Sequence, residues 1–320
     1  MNDLNKVKQI IEENNTFLIT SHINPDGDSI ASMLALFEMI TGLGKKAKMV
    51  IADKVPPVYN FLAYYDKIEV YSPAYTKKSF DVAIVIDCGD YNRIEKVKDV
   101  IDGDFVLNID HHIGNPRFGT YNYVDYKSGA TTEILYFLAA KLNYRINPAL
   151  ASMLYVGLMT DTGSFRYSNT TARNLKIASE LVKKGANPEY LSSMVYERNR
   201  IQKFKLLELI FRRMRFFHND EVIISYISKK DMLELNALGS DSEGLIDFLR
   251  SIGTVKAAAL LYDRGDGYIK VSLRSKHDVN IMLVANSFGG GGHKNAAGGK
   301  IKDTLENAIN RILAAILEVL

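Results

Sequence analysis

Imidazole and carboxylate side chains gather in this chain where short apolar runs end, the combination that metal-assisted chemistry requires. The run Phe17-Leu18-Ile19-Thr20 is followed at once by Ser21-His22-Ile23-Asn24-Pro25-Asp26-Gly27-Asp28-Ser29. Asp81-Val82-Ala83-Ile84-Val85-Ile86 ends in Asp87, Phe105-Val106-Leu107-Asn108-Ile109 ends in Asp110-His111-His112, and Leu158-Met159-Thr160 ends in Asp161. Taken singly, a histidine is more often a hydrogen-bonded structural residue than a ligand, and an aspartate after a strand is often only a cap. Four such sites in one chain are harder to dismiss. Carboxylates and imidazoles without thiolates suit Mn²⁺ or Mg²⁺ better than structural Zn²⁺, and leave Zn²⁺, Fe²⁺ and Co²⁺ open. Two ions ~3.5–4 Å apart would let one activate water while the other steadies the leaving oxygen of an in-line displacement at phosphorus. Asp26, Asp28, Asp87 and Asp161 would roughly cancel the charge of such a pair and leave the phosphate to cationic groups.

For these residues to meet, the runs that carry them must end on one edge. Each run is short, β-branched and continuously apolar, as strands covered on both faces are, which indicates a parallel sheet between helices. Pro25 and Gly27 force a tight turn after the first strand, and Ser29 is placed to cap a helix through Ile30, Met33, Leu34, Phe37 and Ile40. Helical spacing returns at 130–142, 148–158 and 171–184, the last stopped by Gly185. Residues 1–190 therefore read as a doubly wound α/β domain, with ligands expected where the carboxyl ends of the strands face a crevice. Residues 216–320 read as a smaller α+β domain, with strands near 221–227, 257–262 and 268–274, a hairpin turn at Asp263-Arg264-Gly265-Asp266-Gly267, and helices at 229–235, 241–251, 280–286 and 304–320.

Composition narrows the classes further. A chain of 320 residues with 47% hydrophobic content can bury a core in each of two domains and is neither disordered nor fibrous. Residues 1–14 have no signal-peptide pattern, and no window reaches the ~18–20 uncharged apolar residues of a bilayer crossing. With one cysteine, Cys88, no intrachain disulfide forms, and a cytoplasmic location is the default expectation. The net charge of +3 names no nucleic-acid partner by itself. The excess lies in 191–215, where Arg198, Arg200, Lys203, Lys205, Arg212, Arg213 and Arg215 face only Glu197 and Glu208. This segment reads as a basic linker helix, a solvated face in preference to a phosphate-lining strip.

The motifs Asn24-Pro25-Asp26-Gly27-Asp28, Val85-Ile86-Asp87-Cys88-Gly89-Asp90, Asn108-Ile109-Asp110-His111-His112 and Thr160-Asp161-Thr162-Gly163-Ser164-Phe165 resemble, in order, the four motifs of the DHH phosphoesterase superfamily. Leu273-Arg274-Ser275 and Gly289-Gly290-Gly291-Gly292-His293-Lys294-Asn295-Ala296-Ala297-Gly298 resemble the DHHA1 domain, so the likeness spans essentially the whole chain. The group resembled is the stand-alone DHH-DHHA1 proteins of the nanoRNase and 3′-phosphoadenosine-5′-phosphate (pAp) phosphatase type, with relatives acting on cyclic di-AMP and its linear product pApA. The resemblance implies two divalent ions, Mn²⁺ before Mg²⁺ or Co²⁺. One would be held by His22, Asp26 and Asp87 and the other by Asp28, Asp87, His111 and Asp161, with Asp87 bridging. It further implies that Asp110 supports the histidines and that His112 contacts the scissile phosphate or leaving group. Cys88, where the family often has Thr or Ser, is expected to be a small buried neighbour and not a nucleophile.

Four consecutive glycines are expected to be incompatible with regular structure and to let backbone N–H groups approach an anion closely. The family likeness assigns Arg274, Ser275 and the Gly291-Gly292-His293 loop to substrate binding, with Arg274 gripping a terminal phosphate. Arg166 is weighed evenly as a phosphate contact or a surface ion pair. Tyr126, Tyr155 and Tyr167 are candidates for base stacking, though 18 tyrosines single out none. The expected activity is a two-metal phosphodiesterase and phosphatase that takes short single-stranded RNA or DNA oligonucleotides and pAp to mononucleotides. A signalling enzyme for cyclic di-AMP or pApA is the alternative, ahead of a single-strand DNA exonuclease or a non-catalytic nucleotide sensor. No membrane partner is expected, and a homodimer stays open.

Overall fold

The computed structural model describes residues 3–73, 80–101 and 105–320, apart from the side chain of His293. The chain divides into two compact units, Met1–Arg198 and Asn199–Leu320.

In the first unit, Asp3 caps helix α1 (Leu4–Glu13), which leads into strand β1 (Thr16–Thr20). Helix α2 (Gly27–Gly42) and strands β2 (Lys46–Ile51), β3 (Ile68–Val70) and β4 (Val82–Ile86) follow. A short helix α3 (Lys98–Ile101) precedes β5 (Phe105–Asp110) and β6 (Tyr121–Val124). Helices α4 (Thr131–Lys141), α5 (Pro148–Asp161), α6 (Ala172–Lys183) and α7 (Pro188–Tyr196) complete the unit. The strands lie in the order β3-β2-β1-β4-β5-β6, every pairing parallel.

The apolar runs follow from that placement. Along β4, Val82, Ile84 and Ile86 enter a core shared with α1, α2, α4 and α5, while Ala83 and Val85 enter a second core on the opposite face with Leu18, Val50, Ile94 and Val97. Both faces are dry, so neither admits the alternating polar positions of a half-exposed strand. Chain order reverses between β1 and β4, which opens a crevice at their carboxyl ends. His22 follows one of these strands and Asp87 the other.

Helix α2 begins three residues earlier than a Ser29 cap would allow. Asp26 takes the capping position, accepting from the Ser29 backbone N–H at 3.0 Å, and the Ser29 hydroxyl instead meets Ser21 Oγ at 2.5 Å. The carboxylate outcompetes the hydroxyl because, at the extended Asp26, it reaches back onto the first turn and carries the charge that a helix N-terminus favours.

The segment 191–215 is not one linking helix. Helix α7 stops at Tyr196, the polar stretch 197–200 is extended at Arg200, and helix α8 (Ile201–Arg212) belongs to the second unit, ahead of strand β7 (Arg215–Phe217). Its arginines are engaged within the structure. Arg213 grips Asp231 with both Nη atoms at 2.6 and 3.0 Å, Arg200 meets Asp241 at 2.7 Å, and Arg215 meets Glu306 at 2.8 Å. The basic excess thus anchors α8 and β7 to their own unit.

The rest of that unit comprises β8 (Val222–Ser228), α9 (Lys229–Glu234), α10 (Leu245–Arg250), β9 (Ala257–Asp263), β10 (Tyr268–Ser275), α11 (Ile281–Asn286), β11 (Gly291–His293), β12 (Ala296–Lys302) and α12 (Leu305–Leu317). Its sheet runs β11-β12-β10-β9-β8-β7, with β8 and β9 parallel and the other pairs antiparallel. The β9–β10 hairpin turns through Gly265 and Gly267, both at positive φ. The glycine run is partly regular, contrary to expectation: Gly291 and Gly292 pair with Gly298 and Ala297. Side chains would forbid that approach, because a Cβ on Gly292 would run into the Ala296 carbonyl and the Ala297 backbone.

Glycine also permits the helix layer behind the crevice. A Cβ on Gly157 of α5 would lie 2.6 Å from Asp28 Oδ1 and overlap the Thr132 methyl. Replacing Gly157 by Ala is expected to destabilise the fold by about 1–3 kcal/mol through overpacking. A urea melt checks this, and a midpoint equal to the wild type would contradict it.

Candidate metal centre

The crevice is assembled from four strand or helix ends. Ser21 Oγ donates to the Ile86 carbonyl at 2.7 Å and so ties the end of β1 to the end of β4. Asp87 then leaves the ladder in a left-handed conformation (φ 52°), uncommon for a residue with a Cβ, with its N–H still held by the Ile109 carbonyl at 2.9 Å. Its carboxylate is 1% exposed and lies among all the others.

Two groups of ligand atoms result, His22 with Asp26 and Asp87, and Asp28 with His111 and Asp161, each group lying within 4.8 Å of one another. Asp87 reaches both: His22 Nε2 lies 3.9 Å from its Oδ2, and His111 Nε2 lies 3.6 Å from its Oδ1 and 3.5 Å from Asp161 Oδ2. A third group, Asp87, His111 and His112, overlaps these.

Ring orientation fits the donor set to a cation. His22 Nδ1 faces the Ile23 carbonyl at 2.8 Å and His111 Nδ1 faces the Ser128 carbonyl at 3.2 Å. A carbonyl only accepts, so Nδ1 carries the proton in each ring and Nε2 turns a lone pair toward carboxylate oxygens. Lone pairs facing one another at 3.5–3.9 Å neither hydrogen-bond nor stabilise one another. They match the separation of atoms that share an ion roughly 2.1 Å from each. Without thiolates, and with carboxylates in the majority, the set suits a hard divalent ion.

Charge points the same way. Burial pushes the carboxyls of Asp28, Asp87 and Asp161 up to about 7, helped by neighbouring aspartates. Burial lowers His22 and favours the neutral ring that a ligand needs. It opposes charge on His111 as well, but Asp87 and Asp161 outweigh it and raise that residue. His112 rises to about 9 against the same cost, because Asp110 Oδ1 accepts from its Nδ1 at 2.7 Å. Asp110, despite its burial, stays below the usual carboxylate range through bonds from His112 and from Asn115 Nδ2, the latter 2.5 Å from its Oδ2. Cys88 is buried, donates to the Asp90 carbonyl at 3.1 Å, and has its thiol pushed up to about 12, so it is no nucleophile.

Several supporting residues had no visible signal in the sequence. Asp28 accepts from the backbone N–H groups of Thr131 and Thr132 at 2.5 and 3.1 Å and from the Thr132 hydroxyl at 2.8 Å, while Thr131 Oγ1 donates to Asp87 at 2.9 Å. Asp28 therefore caps α4 from 103 residues away, at a terminus whose own cap position is Ala130. Arg93 Nη2 donates to the Ile23 carbonyl at 3.4 Å, the oxygen that His22 Nδ1 also faces, and Asn115 also bonds Asn108 at 2.8 Å. Only the Thr131-Thr132 pair at a helix start could have hinted at this.

The substrate residues expected from sequence lie as follows. Arg166 is exposed, with Nε donating to the Gly163 carbonyl at 2.8 Å. Arg274 lines a cavity of about 220 Å³ with Lys270, Ser272, Tyr262 and Glu243, its Nε 3.6 Å from Asp247. Ser275 is buried and donates to the Val279 carbonyl at 2.7 Å, so its hydroxyl fastens a loop. Gly291 and Gly292 sit in β11, and the His293 side chain falls outside the described residues.

Comparison with known proteins now decides the lineage. Residues 16–158 match the DHH family N-terminal domain and residues 219–320 the DHHA1 domain. A Thermus thermophilus protein named bifunctional oligoribonuclease and PAP phosphatase NrnA is 33% identical over 304 residues, covering 94% of this chain and 89% of the relative. The chain belongs to the DHH family of phosphoesterases. This DHH protein is similar to an exopolyphosphatase-related protein from Bacteroides fragilis, with a TM-score of 0.93 at 25% identity, covering 98% of this chain and 95% of that one. RecJ from Thermus thermophilus, solved with Mn²⁺, shares the fold at 14% identity and a TM-score of 0.55, covering 98% of this chain and 53% of RecJ. Among the described residues no helix is long and apolar enough to cross a membrane.

The raised carboxyls fix a sign for pH. In metal-free protein Asp28, Asp87 and Asp161 hold protons that the unfolded chain releases near the ordinary aspartate value of 3.8. Their contribution to stability is complete below that value and lost as pH rises through about 7. Divalent cations replace those protons. The rise in melting temperature on adding Mn²⁺ to EDTA-treated protein is thus expected to be larger at about pH 8 than at about pH 5.5. Equal increments at the two pH values would contradict this account.

Proposed function

We propose that the protein is a two-metal phosphoesterase that hydrolyses short oligonucleotides and pAp to mononucleotides. One observation carries the reading: the buried Asp87 carboxylate joins two groups of ligands, lying 3.9 Å from His22 Nε2 in one and 3.6 Å from His111 Nε2 in the other. His22, Asp26 and Asp87 would hold one ion, and Asp28, Asp87, His111 and Asp161 the other. Such a pair lowers the pKa of bound water and neutralises charge at a phosphoryl centre. The name of the Thermus relative supports the choice of substrates. Mn²⁺ is the ion we favour.

The chain's own groups account for the remaining work. Asp87, turned into the crevice by its left-handed backbone, fixes the spacing of the two ligand groups. Thr131 and Thr132 hold Asp87 and Asp28 in orientation. His112, kept charged by Asp110, supplies a cation and a proton donor at neutral pH for the phosphate or the leaving oxygen. Arg274 is proposed as the grip on a terminal phosphate.

Purified protein with Mn²⁺ is to be assayed on pAp, pApA, a di- to tetraribonucleotide mixture, cyclic di-AMP, long RNA, long DNA and pyrophosphate. Turnover of pAp and the shortest oligonucleotides is expected. Hydrolysis of cyclic di-AMP alone would replace this reading with a signalling one, and no turnover at all would end it. Asp87→Asn should lower kcat roughly 10³-fold or more, with an unchanged circular dichroism spectrum. Arg274→Ala should raise KM for pAp while leaving Mn²⁺ affinity intact, and an unchanged KM would remove that residue from the site.

A further inference from the structure

Three tyrosines near the metal-ligand motifs offer an aromatic face by sequence, and the structure separates them. Tyr155 is only 7% exposed and packs edge-on against Phe165, at 5.9 Å between centroids. Tyr126 is 60% exposed, in the stretch after β6, so its ring would have to be ordered by whatever binds it. Tyr167 is 45% exposed and backed by the main chain: a Cβ on Gly163 would collide with three of its ring atoms. One face of the ring therefore rests on the turn that follows Asp161.

That turn is built to hold it there. Gly163, Ser164 and Phe165 all adopt left-handed conformations, with φ of 57°, 58° and 62°, a run unfavourable for Ser and Phe. Thr162 pins them: its carbonyl accepts from the N–H groups of Arg166 and Tyr167, each at 3.0 Å, and its Oγ1 accepts from that of Phe165 at 3.2 Å. Tyr196 hydrogen-bonds the Ser164 side chain. On the far side of the ring residue, Asn169 Nδ2 returns to the Asp161 carbonyl at 3.1 Å. Tyr167 is thus bracketed in sequence by Thr162, the residue after Asp161, and by Asn169, which bonds the Asp161 carbonyl, while Gly163 backs its ring.

We infer that Tyr167 is the stacking platform for the base of a nucleotide whose phosphate lies at the Asp87–Asp161 centre, an assignment that rests on the phosphoesterase reading above. A preorganised ring loses little freedom on binding, and every base has a π-face, so such a platform selects nucleotides over other phosphoesters without choosing among bases.

The test compares wild type, Tyr167→Phe and Tyr167→Leu on pApA and on its abasic counterpart. Tyr167→Leu should raise KM for pApA about tenfold with kcat within about twofold, and leave the abasic substrate unchanged, while Tyr167→Phe should match wild type. A second readout requires no turnover: 2-aminopurine riboside 5′-monophosphate bound to Mg²⁺-loaded protein should be quenched by wild type and Tyr167→Phe but not by Tyr167→Leu. Unchanged KM and unchanged quenching in Tyr167→Leu would overturn the inference, as would equal losses on the base-bearing and abasic substrates. Quenching that depends on Tyr167 in a protein that hydrolyses no nucleotide would uphold the platform and bring down the hydrolase reading instead.

Discussion

The structure of the first unit depends on carboxylates brought together where they repel. Asp26, Asp28, Asp87 and Asp161 share one crevice, and the ones most deeply buried hold their protons to about pH 7. An isolated buried carboxylate is among the costliest groups a fold can carry. The surrounding layer meets that cost with directed donors: Thr131 and Thr132 on Asp28 and Asp87, and His112 and Asn115 on Asp110. What those donors do not offset calls for cations, and the Nε2 atoms of His22 and His111 face where such cations would lie.

The fold was legible in the sequence where both faces of an element are buried. Runs such as Val82 to Ile86 read as central parallel strands, and the acids and imidazoles that end them placed His22, Asp87, Asp110 and His111 on one edge. The same kind of reading failed where a single residue had two available partners. Ser29 looked like a helix cap, but Asp26, three positions earlier and charged, takes that place. The basic stretch looked like one solvated helix because its counter-charges, Asp231, Asp241 and Glu306, lie far along the chain. The glycine run looked irregular because its regularity depends on how closely β12 approaches it, which spacing does not encode.

The supporting residues of the site were illegible for a related reason. Ligands announce themselves by type and by position after a strand. Arg93, Asn115 and Thr131 are ordinary residues until the fold sets them against His22, Asp110 and Asp87. Tyr167 was one of three candidates by its place near the ligand motifs, and only Gly163 beneath its ring separates it from Tyr126 and Tyr155.

The cap that Asp28 places on α4 ties the time at which the site appears to the time at which the domain closes. Bonds between residues 103 and 104 apart close a long loop, and that entropy is recovered only once the sheet and its helices are already together. A nascent or half-folded chain therefore presents its ligands as separate local groups, such as 22–28 and 110–112, and not as the joined set. The complete ligand set exists only once the domain has closed, so its capture of metal ions reports a finished fold.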